Sequence, residues 1–168
     1  VIQGMGMVTI QCNASGEYPY VFDCGNHNVL SHFQINNIVF NKKAIGSSAL
    51  NFVNVGYIYI NTCEFINVDT GVFARSEGFA SAHIRVWRCK FAGCNIGITI
   101  NASEALISDI SVENTLVSNA NTFIRGIEKI EYLKLINNTI MVKKYLMNWT
   151  GSVGNRLHIE SCYMYSEG

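Results

Sequence analysis

Hydrophobic positions in this chain recur in short pairs spaced two apart. In Tyr57–Asn67, Ile58 and Ile60 form one pair and Cys63 and Phe65 the next, with Asn61 and Thr62 between them. Period-two spacing sends alternate side chains to one face, so each pair predicts a short strand with its core side marked. The Asn61-Thr62 break predicts a corner, where a side-chain amide can bond the turning backbone. The frame then repeats. It runs Phe33, Ile35, Ile38, Phe40; Ile58, Ile60, Cys63, Phe65; Ile84, Val86, Cys89, Phe91; Ile110, Val112, Thr115, Val117; Leu133, Leu135, Asn138, Ile140; and Leu157, Ile159, Cys162, Met164. A weaker copy starts at Val8 and Ile10. Successive starts are 25, 25, 26, 26, 23 and 24 residues apart. Self-similarity at such a period predicts a solenoid, in which each repeat packs on its neighbours.

The second half of each repeat decides which solenoid. Gly46, Gly71 and Gly97 share a column 13 residues after their repeat starts. Glycine at a recurrent bend allows either a positive φ or a close backbone approach. The stretches GVFARS, GITINAS and NTFIRGI are rich in Gly, Thr, Asn and β-branched residues, which oppose helix and favour strand. A leucine-rich repeat solenoid shares the frame, with Leu30, Val55, Ile107 and Ile130 at its extra upstream position, but it needs a helix or tight turn on its outer side. The expected fold is therefore all-β: a right-handed, single-stranded parallel β-helix of about six or seven coils of 23–26 residues. Each coil carries about three strands and three corners. No linker or low-complexity tract interrupts residues 1–168, so one domain is expected.

Composition narrows the partners. Twelve basic residues balance twelve acidic ones, and charged residues make up only 14 % of the chain. That gives no electrostatic footprint for nucleic acid or an anionic membrane. No run of 18 apolar residues predicts membrane insertion. There is one proline, Pro19. The chain begins at Val1 with no readable signal sequence, so a fragment of a longer protein is expected.

Six cysteines invite a disulfide reading. Cys63, Cys89 and Cys162 instead occupy the inward position held by Ile38, where cysteine acts as a small core hydrophobe. Free thiols are expected, and with them folding in a reducing cytosol. No C-x-x-C pair, Cys/His ligand spacing or acidic calcium cluster occurs, so neither metal nor cofactor is expected. Asn13, Asn101, Asn137 and Asn148 head Asn-x-Ser/Thr sequons. In so asparagine-rich a chain, chance and corner roles account for them.

The runs ISVENTLVSNANTFI and ITINASEALISDISVENTLVSN resemble the right-handed parallel β-helix of the pectate-lyase-like superfamily, over nearly the whole chain. That superfamily holds pectin-degrading enzymes, polysaccharide lyases and epimerases, and bacteriophage tailspikes. Free core cysteines and irregular coils make the chain most similar in character to a tailspike or tail-fibre fragment. The resemblance implies a virion protein made in the host cytoplasm, a homotrimer, and binding or cleavage of cell-surface polysaccharide. Other readings are a secreted, free-standing bacterial polysaccharide lyase or glycoside hydrolase, and a non-catalytic spacer or adhesin shaft. The chain departs from a complete member in showing neither a capping helix nor a trimerisation tail.

In such a fold the outward columns carry the chemistry. One holds His32, Tyr57, His83, Asp109, Tyr132 and Arg156; its neighbour holds Gln34, Tyr59, Arg85, Ser111, Lys134 and His158. Tyrosine rings pack on apolar sugar faces while polar groups bond hydroxyls. Tyr57, Tyr59, Arg85, Tyr132, Lys134 and His158 are the expected substrate-binding set. Such residues are also common on ordinary solvated strands. Hydrolysis of a glycosidic bond needs two carboxyl groups. Asp109, with His83 one turn below, and Glu113 at the far end of the same strand are the catalytic candidates. A lyase would use Arg85 or Lys134 instead. Glu64, Asp69 and Glu77 sit at corners and loops of an earlier turn.

Overall fold

The computed structural model describes residues 2–12, 20–26, 32–42, 48–76, 81–151 and 153–167. All of the regular structure in them is strand. In chain order the strands are β1 (Ile2–Cys12), β2 (Tyr20–Asn26), β3 (His32–Lys42), β4 (Ser48–Val53), β5 (Tyr57–Asn61), β6 (Glu64–Ile66) and β7 (Thr70–Arg75). They continue as β8 (Ser81–Trp87), β9 (Lys90–Ala92), β10 (Ile96–Glu113), β11 (Leu116–Ile136), β12 (Thr139–Thr150), β13 (Val153–Glu160) and β14 (Tyr163–Ser166).

Every pairing is parallel and joins residues one repeat apart. One face stacks β1, β3, β5, β8, the end of β10, the end of β11 and β13. A second stacks the end of β3, β6, β9, the start of β11, β12 and β14. The third stacks β2, β4, β7, the start of β10, the middle of β11 and the end of β12. Because β10 and β11 run through corners unbroken, all 14 strands join one hydrogen-bonded network. The molecule is an all-β parallel β-solenoid of about four turns. No helix flanks the sheets among the described residues, which removes the leucine-rich alternative.

The weak first copy is corrected in register. Val8 and Ile10 were expected to match Phe33 and Ile35. They pair instead with Ile38 and Phe40, while Ile2 pairs with Ile35. The register slips between Gln3 and Val8, across the stretch that holds Gly4 and Gly6. Glycine allows the unpaired backbone such an irregularity needs.

The predicted inward columns line one core. Phe40, Phe65 and Phe91 are fully buried. Their rings stack at centroid spacings of 5.2 and 4.7 Å, close to the strand separation. Burying each such ring is worth roughly 1.5–3 kcal/mol. Gly71 and Gly97 follow the close-approach alternative: a Cβ on Gly71 would lie 2.6 Å from the Phe91 ring, and one on Gly97 2.7 Å from the Phe123 ring. Gly46 and Glu77 lie outside the described residues.

Corners explain the asparagines. The first corner of each turn places one residue in the left-handed region: Asn37, Thr62, Arg88, Asn114, Asn137 and Ser161, at φ of 51–57°. Asn67, Gly93 and Asn119 do so at the second corner. Asparagine tolerates this conformation better than most residues with a Cβ. At the predicted Asn61-Thr62 corner, Thr62 turns, and its hydroxyl donates to Asn61 Oδ1 at 2.9 Å.

The residue after each first corner forms a column of acceptors. Cys63 N–H donates to Cys89 Sγ (3.5 Å), Cys89 N–H to Thr115 Oγ1 (3.3 Å), and Thr115 N–H to Asn138 Oδ1 (2.9 Å). A side chain from the turn above thus satisfies the amide that the broken strand leaves over. Cys63, Cys89, Cys94 and Cys162 are free, and the first three are buried. Burial pushes the Cys94 thiol up to about 12. The side chains of Cys12 and Cys24 lie outside the described ones.

Candidate functional site on the first face

Period-two alternation along β5, β8, the end of β10, the end of β11 and β13 turns the odd columns outward together. The ladder runs His32, Tyr57, His83, Asp109, Tyr132, Arg156 in register, as predicted. Beside it run Gln34, Tyr59, Arg85, Ser111, Lys134, His158. A third column completes the face with Asn61, Trp87, Glu113, Ile136 and Glu160.

In the first column, His32 stacks on Tyr57 with centroids 4.3 Å apart and planes 6° apart. Tyr57 stacks on His83 at 4.9 Å and 23°. Both faces of Tyr57 are therefore covered, and it offers a ligand only its edge and hydroxyl. His83 passes the column on to the next turn through Nδ1, which lies 2.8 Å from Asp109 Oδ2. Both of these side chains are more than 40 % exposed, so solvent screens the contact.

Around Glu113 the second and third columns lock together. Ser111 Oγ donates to Glu113 Oε1 at 2.6 Å, and Arg85 Nη2 lies 3.3 Å from Glu113 Oε2. The Ser111 hydrogen bond holds the Glu113 carboxyl below its usual range; partial burial opposes this, and the Arg85 and Lys134 charges add to it. Arg85 also lies 5.6 Å from the Trp87 ring centroid, and Arg88 lies 4.3 Å from it. These contacts hold the guanidinium of Arg85 over the face while its charge stays open to solvent.

The expected residues fall into two groups. Tyr59, His83, Arg85, Asp109, Glu113 and Lys134 line one shallow depression of about 420 Å³, with Ser111 and Ile84 at its floor and side. A second, of about 410 Å³, is lined by Asp109, Glu131, Tyr132 and Arg156. Tyr57 lines neither. His158 sits further along the face, where Nε2 lies 3.1 Å from Glu160 Oε2. Glu64 lies on the second face, 3.4 Å from Lys90 Nζ. Asp69 accepts a hydrogen bond from Asn95 at the second corner.

Sequence reasoning missed Trp87 and Glu131. The signal for Trp87 was present: continuing the alternation from His83 and Arg85 puts it on the same face. Glu131 follows no such rule, because alternation next to Tyr132 assigns it inward, yet it is exposed. No group of three or more potential metal ligands occurs among the described residues.

No family model, curated protein or solved structure matched this chain. The class of the molecule, a parallel β-solenoid, rests on its own register. The face combines open aromatic rings, fixed cations and carboxylates on a broad, shallow surface. That arrangement suits a flexible polyhydroxylated polymer better than a compact ligand, which needs an enclosing cavity.

Proposed function

We propose that the first face binds cell-surface polysaccharide. The observation that carries this is the depression between Tyr59 and Lys134, where an exposed tyrosine, a guanidinium and an ammonium project from three adjacent rungs. Successive rungs lie about 4.8 Å apart, so a ligand crossing them is an extended chain. Tyr59, at 39 % exposure, supplies apolar contact. Arg85 and Lys134 hold acidic substituents or hydroxyls.

The wider setting we propose is a bacteriophage tailspike or fibre shaft. Its β-helix would be right-handed, extended to six or seven coils and trimerised in the virion. The resemblance of the repeats supports this setting. A secreted lyase or hydrolase would use the same face.

Affinity electrophoresis in gels loaded with purified bacterial capsular polysaccharides and O-antigens tests the binding. The chain is expected to be retarded by at least one of them. Tyr59→Ala and Arg85→Ala should each weaken that retardation about tenfold, a change of about 1.4 kcal/mol. A chain retarded by none, or variants that bind like the wild type, sinks the proposal.

A further inference from the structure

We infer that polysaccharide held on this face is hydrolysed at Asp109, and that the second carboxyl of the reaction is Glu131 instead of Glu113. The inference rests on the glycan-binding reading above. Asp109 is common to both depressions, of about 420 and 410 Å³. A polymer laid across the two therefore places one of its linkages beside this carboxylate. Hydrolysis then needs a second carboxyl group across that linkage.

Glu113 is unsuited to the part. Ser111 engages its Oε1 and Arg85 faces its Oε2. Its side chain is 18 % exposed and held in the ionised form, so it has no proton to give a leaving group. Glu131 is placed differently. It lies in the second depression with Tyr132 and Arg156, one residue before the register partner of Asp109 on the next turn. It is exposed, and no hydrogen bond or ion pair engages its carboxyl among the described residues. Asp109 has one oxygen on His83 Nδ1, at 2.8 Å, which leaves Oδ1 for a water molecule.

The step balances with water alone. Asp109 takes a proton from the water as its oxygen attacks the anomeric carbon. The bond from that carbon to the linking oxygen breaks. Protonated Glu131 gives its proton to the departing oxygen, and solvent returns the proton from Asp109 to Glu131. One water is consumed and two shorter glycans leave. His83 is a positioning residue that orients the Asp109 carboxylate.

The test measures reducing-end release from the polysaccharide that retards the chain. Asp109→Asn and Glu131→Gln should each lower kcat by about a hundredfold or more, the usual scale of acid or base catalysis. Both should keep the wild-type retardation, which also shows that they fold. Glu131→Gln should also remove the alkaline limb of the pH–rate profile. Glu64→Gln, on the second face, serves as the unaffected control. Retention of turnover by Glu131→Gln with its loss in Glu113→Gln overturns the assignment. Binding without any release overturns cleavage and leaves the binding proposal standing. Failure of both sinks both.

Discussion

Asn138 is a buried amide in a column otherwise filled by apolar or small side chains, at 1 % exposure. It survives there because both ends of the amide are bonded. Oδ1 accepts from Thr115 N–H at 2.9 Å, and Nδ2 donates to the Val112 carbonyl at 2.8 Å. Asn138→Leu would strand both backbone groups, each costing about 1–3 kcal/mol. We expect a loss of roughly 2–4 kcal/mol in urea unfolding. Asn138→Cys should cost about half as much, because the column accepts sulfur: Cys89 Sγ already takes the Cys63 amide at 3.5 Å. Equal losses for the two variants would show that the amide acts through shape alone.

At the scale of strands, two columns exchange volume between turns. Turns with Phe65 or Phe91 carry Gly71 or Gly97 beside them. The next turn carries Val117 where the phenylalanine stood and Phe123 where the glycine stood. The Phe123 ring fills the space over Gly97 and meets Phe91 edge-on, with centroids 5.7 Å apart at 63°. A close-packed interior accepts one large ring per turn, in either column. Val117→Phe alone should overpack the core by about 1–3 kcal/mol. Phe123→Gly alone should open a cavity costing more than about 3 kcal/mol. The double variant restores the arrangement of the turn below, so its loss should fall short of the sum by at least about 1 kcal/mol. Simple additivity in denaturant titrations would refute the compensation.

For the whole molecule, the contrast is between a sealed middle and an open last turn. Ile58, Ile84, Ile110 and Leu133 are 1 % exposed or less, whereas their register partner Leu157 is 49 % exposed. Ile159 and Met164 are 40 and 37 % exposed. β13 and β14 also present one free edge each in the strand order. Unpaired edges beside apolar side chains recruit further strands. The 168-residue chain is therefore expected to self-associate in sedimentation velocity as its concentration rises. Leu157→Lys with Ile159→Lys should shift it toward monomer. A wild-type chain that stays monomeric at high concentration contradicts this.

What the sequence determined by itself was everything set by period. A repeat of 23–26 residues with paired core positions specifies parallel stacking, the Phe40–Phe65–Phe91 ladder, the thiols in the core and the two outward columns. It also placed His83 next to Asp109, because equivalent residues of successive turns must be neighbours. What only the tertiary structure decided were contacts that depend on side-chain direction and corner shape. The first repeat's register turned on how a glycine-containing run bulged. Tyr57 lost its open faces because the flanking histidines lie flat on it. Glu113 reaches Ser111 along its own strand and Arg85 on the turn below, and these fix its charge. Glu131 faces outward because the backbone turns between β-faces just before Tyr132, where simple alternation fails. Periodicity assigns a residue to a column, but the rotamer and the bend decide what it touches.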